Sequence, residues 1–152
     1  MIELKIESIQ SVIDEGLELI NQHWDEVAFC KDKVPVDPNW EGFKEIERKE
    51  SLFVMTARDE GRLIGYAVFV LHSLMHYKTC WAASNDAIFV DKDYRSKSSV
   101  GLRLIKTCEK ELKNRGIHRI FWHVKPTNDW TPVLKRMGYT VEDVIMGKYV
   151  KD

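Results

Sequence analysis

The chain has 152 residues, enough for about one domain with its own hydrophobic core. Its composition is ordinary for a globular protein, and its net charge of −1 argues against a nucleic-acid-binding surface. No apolar run approaches the roughly 20 residues of a membrane span, and the first ten residues lack the basic and apolar regions of a signal peptide. We therefore expect one cytoplasmic domain over residues 1–152, without nucleic-acid or membrane partners.

The charge is unevenly distributed along the chain. Residues 1–60 carry 15 acidic and 7 basic side chains, a net charge of −8, whereas residues 61–152 carry 9 acidic and 16 basic side chains, a net charge of +7. Such a split indicates that one part of the molecule faces a cation and the other an anion, unless the two halves intermix in space.

The cysteines and histidines do not predict a metal site. Cys30, Cys80 and Cys108 are an odd count without metal-type spacing, as expected of reduced thiols in a cytosolic protein. His118 and His123 belong to an alternating strand pattern, have no ligand partner at metal spacing, and are interpreted as structural.

The first third of the chain predicts one strand and two helices. "MIELKI" alternates apolar and polar residues and predicts a strand. A helix is predicted to begin near Ser11 and to carry an apolar stripe of Ile13, Leu17, Ile20, Trp24 and Val27. Two prolines interrupt the pattern before "NWEGFKEIERKE", which predicts a second, short helix.

The middle of the chain predicts a hairpin followed by another strand. Two β-rich runs flank "DEGR", whose Gly61 can supply the positive φ of a tight turn. "SLMHYKT" is predicted to be a loop, and "CWAASNDAIFV" a strand.

Helices and strands alternate in the last third. "VGLRLIKTCEKELKNRG" predicts a helix closed by Gly116, "IHRIFWHV" a strand, "NDWTPVLKRMG" a short helix, and "YTVEDVIMGKYV" a last strand. Segregated strands followed by alternation predict an α/β fold with a mixed sheet and helices on its faces. The unit from residue 80 to residue 125 is expected to be a parallel crossover.

The segment "FVDKDYRSKSSVGLRLIK" joins a strand to a helix through a short polar loop. In a parallel crossover, a ligand lies at the carboxyl end of the strand, where the free N–H groups and dipole of the next helix favour an anion. Ser96, Ser98 and Ser99 are small enough to let an anion approach the backbone. Arg95 and Lys97 add cationic donors. No Gly-Lys-Ser/Thr run or Gly-x-Gly-x-x-Gly is present, so a nucleotide P-loop is not indicated.

The same loop resembles motif A of the GNAT acetyltransferases, in which Arg/Gln-x-x-Gly-x-Gly/Ala binds the pyrophosphate of acetyl-CoA. The residues that match are Val90, Tyr94 and Arg95. Ser98 stands where the family usually has glycine, and the final small position falls on Val100 or, with one extra loop residue, on Gly101. Gly101 is preferred, because a bulky valine would block the approach to the backbone. "EGRLIGYAVF" and "VLKRMGY" are similar to two further family signatures. "SLMHYKTCWAASNDAIFVDKDYRS" also resembles GNAT proteins encoded by tailed bacteriophages.

The resemblance implies a GNAT acyl-CoA N-acyltransferase fold, with a central mixed sheet of about six strands flanked by about four helices. It implies direct transfer of an acetyl group from the sulfur of acetyl-CoA to a primary amine, without a metal. A backbone N–H of the fourth strand would polarise the thioester carbonyl. The cosubstrate-binding residues that it implies are Ile88, Phe89, Val90, Arg95, Ser96, Lys97, Ser98, Ser99, Val100, Gly101 and Asn128.

The general acid and base are left open by the sequence. Leu134 stands where the family often has the tyrosine that protonates the thiolate, so Tyr77, another hydroxyl or thiol, or solvent must replace it. An amine with a pKa near 10 must lose a proton before attack, and the candidate bases are Glu26, His76 and Asp86. Asp86 belongs to an apolar strand, where an acid costs free energy unless it is paired or hydrated at an edge or bulge. Glu26 and His76 have solvated surface positions as their alternative.

The acceptor is predicted to be cationic, because the acidic first half would supply the helices that border the acceptor in GNAT proteins. A polyamine, an aminoglycoside-like molecule, a lysine and a protein N-terminus all fit. The main alternative is a GNAT-fold binding protein that has little catalysis and acts through a protein partner. A doubly wound phosphate-binding domain does not explain the hairpin. A homodimer stays open, as does action in a host cytoplasm if the protein is phage-encoded.

Overall fold

The computed structural model describes residues 1–96 and 99–152. Its strands are β1 (Ile2–Ile6), β2 (Leu52–Asp59), β3 (Arg62–Leu74), β4 (Tyr77–Val90) and β5 (Arg119–Phe121). Its helices are α1 (Ile9–Glu15), α2 (Leu17–Val27), α3 (Trp40–Arg48), α4 (Lys92–Arg95), α5 (Val100–Asn114) and α6 (Thr131–Arg136), and Pro126–Asn128 forms a 3-10 turn. None of the helices in this described part is long and apolar enough to cross a membrane.

The strands form one mixed sheet in the order β1-β2-β3-β4-β5. β1 to β4 pair in antiparallel fashion, whereas β4 and β5 are parallel and are joined through α5. The predicted mixed sheet and the predicted parallel crossover are therefore confirmed.

Helices cover both faces of the sheet. Successive side chains of a strand point to opposite faces, so each strand contributes apolar side chains to both layers. Phe53 and Met55 of β2 belong to a core cluster with α5 residues such as Leu104. Leu52 and Val54 belong to a second cluster with residues of α1 and α2. β2 is consequently buried at every position except its last, as expected for a strand covered on both sides.

The first predicted helix is broken in two at Gly16. The N–H of Gly16 donates to the carbonyl of Val12 (2.7 Å) and ends α1, and α2 begins at the next residue. A Cβ at position 16 would clash with that same carbonyl, so glycine is required there. The break shifts the apolar phase: Leu17, predicted to lie on the buried stripe, is 71% exposed, whereas Val12 and Leu19 are buried.

The two hairpin turns differ from each other. The predicted tight turn is confirmed, since Glu60 and Gly61 both have positive φ (46° and 86°), as a two-residue turn of this kind requires. The second turn is shorter than predicted. "SLMHYKT" is not a loop, because β3 continues to Leu74, which pairs with Tyr77.

The last predicted strand is not formed among the described residues, so the sheet has five strands rather than about six, and there are six helices rather than about four. Residues 139–152 have no strand pairing. Val144, Ile145 and Met146 are at least 74% exposed. High β propensity predicts a strand only where a neighbouring strand and a buried face are available, and here the segment has neither.

An ion cluster around the buried Arg58 joins β2 to the start and end of α1. Arg58 is 8% exposed and donates to Glu7 (Nε to Oε2, 2.8 Å) and Glu15 (Nη2 to Oε2, 2.6 Å). The hydrogen bond from Arg58 lowers the pKa of Glu15. Burial alone would raise the pKa of Glu7, but hydrogen bonds from Arg58 and Thr56 outweigh that effect and lower it.

Replacing Arg58 by Met should lower the free energy of unfolding by about 3 kcal/mol at neutral pH, because the Glu7 carboxylate then stays partly buried without its cation. Since the folded pKa values of Glu7 and Glu15 are lowered, their stabilisation is fully present above the unfolded pKa of about 4.3. It is lost as the pH falls through the lower folded values. Urea denaturation of Arg58→Met and the native protein should therefore show a difference that shrinks at about pH 3.

The matched control is Arg48→Met, which removes a pair with Glu45 whose side chains are 62% and 50% exposed. Solvent screens such a pair, so the control should change stability little. An Arg58→Met loss that does not depend on pH would contradict an electrostatic role for the cluster.

Candidate functional site

β4 and β5 pair over a short stretch and then diverge. β5 ends at Phe121 and pairs with Ala82, Ala83 and Ser84 of β4. β4 continues beyond this stretch to Val90. Within the described chain, no strand pairs with that side of β4 beyond Ser84. The backbone of residues 85–90 therefore borders a gap, and its groups can pair with an extended ligand, apart from the carbonyls of Ala87 and Val90, which accept hydrogen bonds from the side chains of Asn85 and Arg95.

A cleft of about 380 Å³ opens at this gap. Its apolar walls come from Val27, Val70, Ala87, Ile88 and Trp130, and its polar residues are His23, Ser84, Asn85, Asp86, His123, Lys125 and Asn128. The lining thus combines apolar walls with convergent polar groups, and a concave site of this kind can bind a small molecule. Three of the predicted site residues, Asp86, Ile88 and Asn128, thus line one cleft.

Asp86 points to the cleft because β4 has a β-bulge at this residue. Val68 pairs with Ala87 and Phe69 pairs with Asn85, so Asp86 is the extra residue of the bulge. The buried Asn85 side chain holds the bulge, since its amide donates to the carbonyls of Val68 (3.2 Å) and Ala87 (2.9 Å). The bulge that the sequence left as an alternative for Asp86 is therefore present, and it opens on the cleft.

The surroundings of Asp86 make its carboxylate a stronger base. Desolvation by the neighbouring protein raises its pKa, although the residue reaches solvent through the cleft, and the charge of His123 opposes this effect. No hydrogen bond or salt bridge to another described residue engages the carboxylate. Such a group can accept a proton from a bound ligand.

Arg95 lies beside the end of β4, outside the lining of the cleft. Its Nε donates to the carbonyl of Val90 (2.8 Å), its Nη2 pairs with Glu26 (2.6 Å), and its guanidinium lies 4.9 Å from the centre of the Phe89 ring. Ser96 follows as the last residue of this turn. Glu26, a predicted base, is thus neutralised by an arginine and lies at the predicted anion site.

The first turn of α5 presents its backbone to the same region. Ser99 is the N-cap residue, and its side chain makes no capping hydrogen bond to a described residue. Val100 is fully buried in the core, whereas a Cβ on Gly101 would meet nothing within 4 Å. Of the two residues that the motif left open, Gly101 is therefore the one that faces open space. Lys97 and Ser98, predicted for the same anion, lie outside the described residues.

His76 and Tyr77 are not brought to the cleft. Both are exposed at the tip of the β3–β4 hairpin, where their rings lie 6.5 Å apart. At about 3.3 Å per residue, Tyr77 is about 30 Å from Asp86 along β4. Continued pairing of β3 with β4 extends this tip away from the cleft, so the geometry gives neither candidate support. Leu134 is 6% exposed and brings no hydroxyl group either.

His23 is a cleft residue that the sequence analysis missed. Its Nδ1 lies 2.9 Å from the hydroxyl oxygen of Tyr66, and its ring stacks on Phe89 at 4.8 Å. Burial lowers the pKa of His23 to about 4, so the ring is neutral at physiological pH. Its spacing was a usable signal, since His23 follows Ile20 by three residues and precedes Val27 by four, on the apolar side of the helix.

The two histidines near β5 have different surroundings. The Nδ1 of His118 accepts a hydrogen bond from the backbone N–H of Trp81 (3.0 Å), a structural contact. His123 lines the cleft instead. In the ranges 1–96 and 99–152, no three His, Cys, Asp or Glu side chains are grouped closely enough to hold a metal ion.

Known proteins share this architecture. Residues 17–139 match the model of the Acetyltransferase (GNAT) family. No curated protein is significantly similar to the chain in sequence. The chain is similar to the crystal structure of glucosamine-6-phosphate N-acetyltransferase from Arabidopsis thaliana, at 16% identity over 99% of each chain with a TM-score of 0.73.

Two further structures are similar to the chain. A transcriptional regulator from Bacillus halodurans C-125 has 15% identity over 99% of this chain and 100% of its own, with a TM-score of 0.78. A predicted acetyltransferase with acetyl-CoA from Clostridium acetobutylicum has 16% identity over 98% of this chain and 96% of its own, with a TM-score of 0.70.

At such identities the structures show a common fold, and their different names give no common acceptor. The family match is stronger evidence than these structures, because it spans most of the chain, including α2, the cleft strands, α5 and α6. The family resemblance drawn from the loop after β4 is therefore confirmed. This protein belongs to the acetyltransferase (GNAT) family and is an N-acetyltransferase.

Proposed function

We propose that this protein transfers an acetyl group from acetyl-CoA directly to a primary amine of a cationic acceptor. The observation that carries the proposal is the divergence of β4 from β5 after Ser84, which leaves residues 85–90 of β4 without a neighbouring strand on that side among the described residues. An extended pantetheine arm pairs with that edge as a strand would, along Ile88, Phe89 and Val90.

The phosphates of acetyl-CoA are then proposed to lie at the first turn of α5. Free backbone N–H groups at a helix start favour a pyrophosphate, and the open space at Gly101 lets it approach. Arg95, which pairs with Glu26 in this structure, is proposed to bind the phosphate instead. Asn128 contributes from the opposite wall.

Asp86 is the proposed base. It takes a proton from the ammonium group, and the amine nitrogen attacks the thioester carbonyl carbon, whose oxygen is polarised by a backbone N–H of β4. The N–C bond forms, the C–S bond breaks, and its electron pair leaves on sulfur as a thiolate, whose conjugate thiol has a pKa of about 8.5. Asp86 returns the proton to water at the open side of the cleft.

A cationic acceptor is supported by the carboxylate of Asp86, which pairs with no other described residue, and by the acidic excess of residues 1–60, which supply α1, α2 and α3. A polyamine, an aminoglycoside-like molecule, a lysine or a protein N-terminus fits this chemistry. We place the reaction in the cytoplasm, a reducing compartment, on the support of three free cysteines.

Calorimetric titration with acetyl-CoA tests the site. The native protein should bind acetyl-CoA, and Arg95→Glu should weaken binding at least about tenfold, because a charge-assisted hydrogen bond is replaced by repulsion. Arg48→Glu makes the same charge change on α3 and should bind like the native protein. Absence of binding by the native protein would overturn the proposed cosubstrate.

Asp86→Asn should lower kcat/KM for the amine about 10²-fold at neutral pH, because the ammonium proton loses its acceptor. Since the pKa of Asp86 is raised, the native protein should lose activity as the pH falls through a value above that of an ordinary aspartate. The variant should instead gain rate with pH as free amine accumulates. Initial rates across the pH range measure both effects.

Asp14→Asn is the matched control, since Asp14 lies on α1 and bonds only Gln10 among the described residues. It should leave the pH profile unchanged. A profile of Asp86→Asn that keeps the native shape would remove Asp86 as the base.

Glu26→Gln should tighten acetyl-CoA binding by about two- to fivefold. The exposed pair with Arg95 is worth at most about 1 kcal/mol, and the variant no longer competes with phosphate for the guanidinium. Titration at low and high salt measures the effect, which should fade at high salt. Weaker binding by Glu26→Gln would mean that Glu26 orients Arg95 for the ligand rather than competing with it.

A further inference from the structure

We propose that His23 is a catalytic residue of this transfer: it donates a hydrogen bond through Nε2 to the thioester sulfur as the sulfur becomes a thiolate. The inference rests on the proposed acetyl transfer and assigns a donor for the leaving group. No other described residue of the cleft combines a neutral N–H with a position fixed by both a hydrogen bond and a stacked ring.

The position of His23 suits the sulfur. Its ring stacks on Phe89, and its side chain lines the cleft that also holds Asp86. Phe89 lies three residues beyond Asp86 along β4 and also contacts the guanidinium of Arg95. A pantetheine arm that runs from Arg95 towards Asp86 therefore passes His23 before the carbonyl carbon reaches the amine.

The hydrogen bond to Tyr66 sets which nitrogen of His23 carries the hydrogen. Tyr66 is 3% exposed, and Nδ1 of His23 is the partner of its hydroxyl group among the residues described. If Nδ1 carried the hydrogen, the buried hydroxyl hydrogen would have no acceptor, which costs free energy. The hydroxyl of Tyr66 therefore donates to Nδ1, and the ring hydrogen is on Nε2.

Burial keeps this donor neutral, since it lowers the pKa of His23 to about 4; Glu26 opposes this effect, whereas Lys125 and Arg95 reinforce it. A neutral imidazole N–H stabilises a developing anion without adding a full positive charge beside a cationic acceptor. The ring stays in this form across the pH range in which an amine is acetylated.

The step balances without proton transfer from His23. The N–C bond forms, the C–S bond breaks, and the electron pair on sulfur is stabilised by the Nε2–H group. Asp86 holds the proton of the amine, and the thiolate leaves as an anion or takes a proton from solvent. His23 returns to its starting state when CoA leaves.

Two variants at position 23 test the role. With acetyl-CoA, His23→Leu should lower kcat about 10²-fold, the effect of removing one donor to a developing anion. His23→Gln keeps an N–H donor and should recover most of the rate. Thermal unfolding of both variants checks that the fold is retained.

The decisive measurement repeats the rates with the selenoester analogue of acetyl-CoA. A selenolate is less basic than a thiolate and needs less stabilisation, so the loss in His23→Leu should shrink with the selenoester. Equal losses with both esters would show that His23 only supports the cleft, and would overturn the inference.

Tyr66→Phe keeps the ring and removes the hydroxyl group that sets the hydrogen on Nε2. It should lose less kcat than His23→Leu, and this loss should also shrink with the selenoester. It therefore tests the role of His23 even if His23→Leu does not fold. A native protein that acetylates no amine would overturn the proposed function itself. If the native protein transfers the acetyl group and His23→Leu does so at the same rate with both esters, only the role of His23 would be overturned.

Discussion

The β-bulge at Asp86 is the constraint on which the rest of the site depends. A strand that pairs on both edges cannot offer its backbone to a ligand, and β4 is released from β5 just where the extra residue begins. Asn85 makes the irregularity stable by bonding the carbonyls on either side of it. The gap itself begins where β5 ends at Phe121, and the bulge places a carboxylate at that gap.

The uneven charge of the sequence has a mixed outcome in space. Glu26 from the acidic half pairs with Arg95 from the basic half beside the end of β4, so the two charges cancel there. At the proposed site, the cation of Arg95 is therefore paired with the carboxylate of Glu26. The carboxylate of Asp86 has no cationic partner among the described residues.

Local signals in the sequence predicted much of the fold. The alternation of β1, the Glu60–Gly61 turn and the helical spacing of α5 are short-range patterns, and each of these elements is present in the segment for which it was predicted. The break at Gly16 was missed because a glycine inside an apolar stripe also fits a continuous helix. The length of the β3–β4 hairpin was missed because polar residues predict a loop unless the partner strand is known.

The proposed site could be derived from the sequence only in part, for the same reason. The proposed anion-binding residues lie in one continuous segment, so their types and order were visible. The proposed catalytic residues lie on α2 and β4, and only tertiary packing brings His23 to Phe89 and Tyr66. A buried neutral histidine has no signature in composition, because its pKa is set by neighbours that lie far away in the chain.

Recognition through a bare strand edge also bears on how such proteins diverge. A main-chain N–H or C=O is supplied by almost any amino acid, so most side chains along β4 are free to vary while the edge keeps its shape. The structures that share this fold at 15–16% identity are compatible with that freedom. Under the proposed mode of binding, mutational drift can remodel the helices and loops on the amine side, and new acceptors can arise while the strand edge keeps its shape for the acyl carrier.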